Sequence, residues 1–312
     1  MSYSWPLIVY AALFVVITPV YIFILVCILN MRSRISLFRT NFYTILIQHS
    51  IADIFALVFY SSLKFTIVCF PVFSHYVQQM FPLAAVYYNG VFWCKTLRSN
   101  GIVVMTIHRY LTIAKPVKRA ATVRHQFWKI CTIYWVPSLL ISSLCFSESE
   151  IEFTTMQEVS LSISSSVTAK YSRITVIYVS VSCIICAITY GLIIKFIRNK
   201  SHSVSKSLQR EVRLSFQVSL SFAAQLLLLA YFVILNVYAE LNDIAKIIYM
   251  REFYPIVYGT LSFIGPLTIL IFNKDVSKRV RSIMFGKQKN RLTESSIMST
   301  TNRKKVVATT QL

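Results

Sequence analysis

Long apolar runs dominate the pattern of this chain, and short polar segments separate them. Each run is long enough to cross a hydrocarbon core of ~30 Å as a helix that rises ~1.5 Å per residue. The pattern therefore predicts an all-α membrane protein, with a bundle of seven transmembrane helices in one domain over residues 6–285. The runs fall at about residues 6–30, 42–68, 82–112, 126–146, 172–196, 214–238 and 252–272.

The pattern changes after the last run. Residues 273–285 place Lys and Arg between apolar positions, which predicts a short amphipathic eighth helix on the membrane surface. Residues 286–312 are polar and rich in Ser and Thr, so we expect a disordered tail on the same side of the membrane.

Composition and charge support this interpretation and add an orientation. The chain is 56% hydrophobic, more than a soluble domain usually is. Most of its 32 Lys and Arg residues lie in alternate connections and after the last run, and most acidic residues lie in the other connections. Because basic loops stay cytoplasmic, we expect an extracellular N-terminus and a cytoplasmic C-terminus. The net charge of +21 then faces anionic lipid and a cytoplasmic partner, which argues against a nucleic-acid partner.

The third run carries the candidate chemistry. It holds three cations, Lys95, Arg98 and Arg109, and a charge inside a bilayer normally faces a partner, water or a functional site. No acid pair, metal-ligand cluster or nucleophile–base arrangement occurs at membrane depth, so we expect neither an enzyme nor a metal or cofactor. A disulfide between Cys69 and Cys145 stays an open alternative, because sequence does not supply the geometry.

Asp53 in the second run is a candidate partner for Arg98. Arg98 lies 11 residues from Arg109, and Asp53 lies 11 residues from Phe42, so both are ~16 Å from the same membrane face. Leaving either charge alone in a bilayer is costly. We therefore predict a buried polar pair of Asp53 and Arg98 joined by an ion pair. The alternative is that each side chain finds backbone carbonyls or water.

Several motifs in order resemble those of a known receptor family. They are Ala52-Asp53 in the second run, His108-Arg109-Tyr110 at the inner end of the third, and Pro266 in the seventh followed by IFNKDVSKRV. Together with seven runs and their sidedness, these motifs resemble a rhodopsin-like G-protein-coupled receptor. The chain is most similar to the nematode serpentine chemoreceptors of class V or a close relative, over residues 6–285.

The resemblance implies roles for residues at the inner side. Arg109 stands at the arginine position of the family's motif. It would contact the inner end of the sixth run when the receptor is at rest, and a G protein when the receptor is active. The motif's acidic residue is replaced here by His108, so Glu211 is the candidate counter-ion. The other positions assigned to coupling and activation are Tyr110, Tyr190 and Pro266. The alternative is that Arg109 is only an anchor that reaches the membrane interface.

At the outer side, the resemblance implies a ligand pocket near Lys95, with Val91 and Lys64 as further lining residues. Lys95 could bind an anionic or carbonyl-bearing ligand, or form a structural bridge to an acid such as Glu252, and the sequence leaves both open. An Arg98 paired with Asp53 would occupy the place of the sodium ion that many relatives bind.

The sequence thus predicts a chemosensory receptor. It would bind an extracellular small molecule or peptide and signal to a heterotrimeric G protein. The resemblance implies a location in the plasma membrane. In a sensory cell, it implies a location in the cilia. The alternative is a transporter or channel that uses the midplane charges Asp53, Arg98 and Lys95. The odd number of runs and the lack of internal repeats weigh against that alternative.

Overall fold

Helices account for almost all of the fold. The computed structural model describes residues 4–35, 38, 40–114, 123–144, 151–153, 161–199 and 206–284. The helices in these ranges are α1 (Trp5–Arg34), α2 (Asn41–Cys69), α3 (Pro71–Met80), α4 (Leu83–Ala114), α5 (Val123–Ser143), α6 (Ser165–Asn199), α7 (Lys206–Glu240), α8 (Ile244–Phe272) and α9 (Lys274–Met284). Two short antiparallel strands, β1 (Glu152–Phe153) and β2 (Leu161–Ser162), pair between α5 and α6.

The long helices pack as a bundle whose two ends can be defined by contacts. At one end, the ring of Trp5 packs edge-on against Phe253 in the first half of α8. At the other end, Asn273 donates a hydrogen bond of 3.3 Å to the hydroxyl of Tyr43 near the start of α2. We call these the Trp5 end and the α9 end. Consecutive long helices run in alternate directions between them.

Helix α4 lies inside the bundle, packed against α2, α5, α6 and α7. The outward faces of the other long helices expose apolar side chains, as expected for a protein surrounded by lipid. Among these exposed residues are Val15, Val16, Ile184, Ile188 and Leu227. The interior therefore holds the cations of α4, and the surface holds aliphatic residues.

Each of the seven predicted runs forms a helix, but not all are equally apolar. Within the described residues, five helices are long and apolar enough to cross a membrane: α1, α2, α6, α7 and α8. Helix α4 is also long enough to cross a membrane, but its polar and charged residues lower its mean hydropathy. Amphipathic α9 follows α8, and Val276 and Val280 are buried where it packs on α8 and α1.

Other features of the fold were not expected from the apolar runs. Helix α3 fills part of the connection between α2 and α4 and begins with Pro71, whose fixed φ suits a first helical position. Helices α6 and α7 begin several residues before their apolar runs, because helical hydrogen bonding continues through polar sequence. Cys69 is an exposed free thiol, whereas Cys145 and the predicted tail at 286–312 lie outside the described residues.

Candidate functional site

The three cations of α4 lie at different levels of one buried helix. The exposed fraction is 3% for Lys95, 0% for Arg98 and 1% for Arg109. Lys95 and Arg109 are 14 residues apart, or about 21 Å along the helix. Helix α4 therefore carries two buried positive charges near its middle, Lys95 being one turn closer to the Trp5 end than Arg98, and a third near the α9 end.

A cavity of about 580 Å³ opens at the Trp5 end among α1, α2, α4, α6, α7 and α8. This Trp5-end cavity has mostly apolar and aromatic walls. The tyrosines that line it are Tyr60, Tyr87, Tyr88, Tyr171, Tyr231 and Tyr254. The three residues that the sequence assigns to a ligand pocket, Lys64, Val91 and Lys95, all line this cavity.

Lys95 reaches the cavity from α4 and packs between polar and aromatic groups. Its ammonium donates a hydrogen bond of 2.6 Å to the Thr175 hydroxyl of α6. It also lies 4.4 Å from the ring centroid of Phe92 and 4.0 Å from that of Phe232. Aromatic faces attract cations, most strongly where water is excluded. Glu252, the acid in the alternative interpretation of Lys95, lines the same cavity.

Arg98, one turn further along α4, is bound mainly by α8. Its Nη1 donates to the Tyr258 carbonyl at 3.1 Å and to the Ser262 hydroxyl. Its guanidinium carbon lies 4.0 Å from the ring centroid of Tyr258. The Tyr258 carbonyl can accept this bond because a carbonyl oxygen has two lone pairs. Among the described residues, Nε and Nη2 have no hydrogen-bond partner.

Asp53 of α2 is held by other groups. Its Oδ2 accepts a hydrogen bond of 2.8 Å from the Tyr21 hydroxyl and lies 3.6 Å from His49 Nε2. The other ring nitrogen of His49, Nδ1, is 2.9 Å from the Tyr134 hydroxyl. The carboxylate is fully buried. Asp53 is therefore the centre of a polar cluster contributed by α1, α2 and α5.

The predicted ion pair between Asp53 and Arg98 is wrong. Within the described part of the chain, no ion pair joins these two side chains, although both are buried at a similar level. The reason is that α8 offers Arg98 a carbonyl and a hydroxyl, whereas α1 and α2 offer Asp53 a tyrosine hydroxyl and a histidine. Each charge thus has its own polar partners, as in the alternative interpretation.

At the α9 end, Arg109 and Glu211 form the predicted contact. Arg109 Nη1 lies 2.5 Å from Glu211 Oε2 of α7, and the guanidinium packs over the Phe42 ring, 3.1 Å from its centroid. The His108 ring centroid is 6.3 Å from that of Phe42. Arg109 is thus enclosed by α2 and α7 inside the bundle, rather than extended to the surface as an interface anchor.

The remaining predicted residues have distinct surroundings. The Tyr190 hydroxyl of α6 donates to the Ser215 carbonyl of α7 at 3.5 Å, and its ring stacks on Phe222. Pro266 is buried within α8, and Tyr110 is half-buried. Tyr190 therefore links α6 to the same part of α7 that holds Arg109.

Sequence analysis missed five residues of the central polar cluster: His49, Tyr21, Tyr134, Tyr258 and Ser262. One signal was available, because His49 and Asp53 are four residues apart and so share a face of α2. The other four come from α1, α5 and α8, and only the packing of those helices brings them near Asp53 or Arg98.

The arrangement is that of a helical multi-pass membrane protein with a cavity at one end of the bundle and a buried ion pair near the other. The family model described as serpentine type 7TM GPCR chemoreceptor Srv matches residues 10–286. The chain belongs to this family of serpentine chemoreceptors, which confirms the resemblance to class V. The family is one of receptors rather than enzymes. A search among curated proteins finds no match.

Proposed function

We propose that this protein is a plasma-membrane chemosensory receptor that binds an extracellular small molecule or peptide in the Trp5-end cavity. It signals to a heterotrimeric G protein at the α9 end. One observation carries the proposal: α4 has a residue at each of these places. Lys95 lines the cavity, and Arg109, about 21 Å along the helix, is paired with Glu211 of α7.

In this proposal α1, α2 and α4 to α8 all cross the bilayer, with the N-terminus outside and the C-terminus in the cytoplasm. Helix α4 crosses despite its lower hydropathy, because its three cations are buried in the bundle and away from lipid. The amphipathic α9, with four cations, lies at the inner surface, where anionic lipid attracts it.

Signalling would follow from a shift between two arrangements of the helices. The cavity is lined by residues of α4, α6 and α7, so a ligand that binds one spacing of these helices better favours that arrangement. The Arg109–Glu211 pair and the Tyr190 contact join the same three helices near the α9 end. A ligand-selected arrangement that separates α4 from α7 would release Arg109 and open a surface for the G protein.

Replacing Glu211 by Gln tests the proposal without a known ligand. The change removes the negative charge opposite Arg109, so it should favour the active arrangement and raise basal signalling roughly fivefold, the low end of usual allosteric coupling. The measurement is G-protein activation in transfected cells at equal surface expression. The matched control is Glu240→Gln, because Glu240 pairs with exposed Arg173 at the Trp5 end. Equal basal activity in both variants and the parent would contradict the proposal.

The burial of the midplane charges supports a receptor over a transporter or channel. A conduction path needs water at its charged groups, whereas Asp53 and Arg98 have no exposed surface. Their partners are hydroxyl groups, a histidine and a backbone carbonyl. Such surroundings suit groups that hold helices together.

A further inference from the structure

The wall of the Trp5-end cavity has an excess of positive charge. Among the residues that the structure describes, Lys64, Lys95 and Arg251 line it together with a single carboxylate, Glu252. Resting on the proposal that this cavity is the receptor's ligand site, we infer that the ligand is an organic anion with an apolar body. Its negative group lies against Lys64.

Lys64 is the cation that points to an anionic ligand most directly. It lies on α2, is half-buried, and has no hydrogen bond or ion pair with any residue that the structure describes. The other two cations of the wall are already bound: Lys95 donates to Thr175, and Arg251 donates to Thr168 at 2.8 Å. An ammonium group that is partly removed from water without a partner is costly, and an anionic ligand group would offset that cost.

The rest of the wall indicates the body of the ligand. Beside the six tyrosines, Phe92, Phe232 and Leu235 line the cavity, so most of the surface offered to a ligand is apolar. A volume of about 580 Å³ is within the range of small-molecule sites. The walls therefore suit a small amphipathic molecule, with one charged group and an aromatic or aliphatic skeleton.

Glu252 should make the cavity select against anions that carry several negative charges. It is exposed and lines the cavity from α8, next to Arg251. A carboxylate there repels a molecule that carries several negative charges, while Lys64 and Lys95 favour one negative group. The distribution of charge thus predicts a monoanion. It also predicts that removal of the Glu252 charge strengthens anion binding.

The test uses three matched series of probes: aryl-alkanoates, the primary amides of the same skeletons, and the corresponding amines. Each is titrated into purified receptor in nanodiscs without G protein, and affinity is taken from the ligand-dependent shift of the thermal midpoint. We expect carboxylates to bind at least ~10-fold more tightly than their amides, the usual scale of a charge-assisted hydrogen bond. A preference for amides or amines, or stabilisation by none of the three series, would overturn the inference.

Variants then locate the charged contact. Lys64→Met keeps most of the side-chain volume and should lower carboxylate affinity about 10-fold, whereas Glu252→Gln should raise it. The control is Lys246→Met, because Lys246 is exposed, pairs with Asp243 at 2.8 Å and does not line the cavity. Lys64→Glu should transfer the preference to the amine series. The shift of each variant is measured from its own thermal midpoint without ligand, and the neutral Lys64→Gln serves where Met does not fold. Equal loss in Lys64→Met and Lys246→Met would contradict the assignment.

These outcomes separate the ligand class from the receptor function. If carboxylates bind through Lys64 but never change G-protein activation, the inference on the ligand stands and the proposed function fails. If neutral or cationic probes activate a G protein while carboxylates do not bind, the proposed function stands and the inference on the ligand fails.

Discussion

At the residue scale, separate hydrogen-bond partners explain why two opposite charges can be buried at a similar level without an ion pair. Ser262 accepts a hydrogen bond from Arg98, and Asp53 lies against Tyr21 and His49. An isolated buried charge is costly unless it is hydrogen-bonded. The tyrosine hydroxyl on Asp53 and the carbonyl of Tyr258 on Arg98 complete this arrangement. Arg98 joins α4 to α8 in the middle of the bundle, and the Tyr258 hydroxyl joins α8 to the Ala56 carbonyl of α2.

Ser262→Ala tests that arrangement. The change leaves Arg98 with one acceptor fewer, so it should destabilise the receptor by about 1–3 kcal/mol, the usual cost of an unsatisfied buried group. The measurement is the thermal midpoint in nanodiscs. The control is Ser219→Ala, because the exposed Ser219 hydroxyl only bonds the Phe216 carbonyl of its own helix. If both variants melt at the same temperature, the Ser262 hydroxyl does not stabilise buried Arg98.

The sequence identified the important buried side chains more successfully than it identified their partners. The rise per residue of a helix gives depth, so Asp53 and Arg98 were correctly placed at a similar level. Depth does not give the direction in which a side chain points. It also does not show that α8 supplies the groups that bind Arg98. Glu211 was easier to predict, because it is the acid at the start of the sixth run and Arg109 lies at the same end.

At the scale of the elements, polar chemistry is concentrated in α4, and the surrounding helices expose apolar faces. The hydrophobic runs predicted the seven long helices. A segment surrounded by lipid must be long and apolar, and its backbone groups must form hydrogen bonds within the helix. The runs did not predict where the helices begin. Polar residues such as Ser165 and Lys206 extend α6 and α7, and backbone hydrogen bonding rather than hydropathy decides how far. Helix α3 lacks an apolar run, so its sequence gave no signal of that kind.

The direction of the helices leads to a labelling prediction. In the proposed topology, Ser164 before α6 is extracellular, and Ser33 near the end of α1 is cytoplasmic. Both are exposed. With exposed Cys69 first changed to Ser, a cysteine at 164 should react with an impermeant maleimide on intact cells. A cysteine at 33 should react only after permeabilisation. Labelling at 33 on intact cells would reverse the orientation.

At the scale of the whole molecule, the bundle links a cavity at one end to an ion pair at the other through one helix. Family membership and the distribution of hydrophobic residues make the chain a chemoreceptor-like membrane protein. In our proposal, a ligand in the Trp5-end cavity acts on the G protein through the buried polar cluster and the Arg109–Glu211 pair. Sequence alone could not predict the cavity, because its walls come from six helices distant along the chain.

The most direct test of this account is nucleotide exchange by the purified receptor. Receptor in nanodiscs is mixed with heterotrimeric G proteins that represent each α-subunit class, and GTP uptake is followed against empty nanodiscs. The account predicts faster exchange on at least one class, and still faster exchange with Glu211→Gln than with Glu240→Gln. In parallel, the same receptor in liposomes should carry no ion current above protein-free liposomes. Exchange no faster than with empty nanodiscs for every class and both variants, together with a measurable ion flux, would contradict the account.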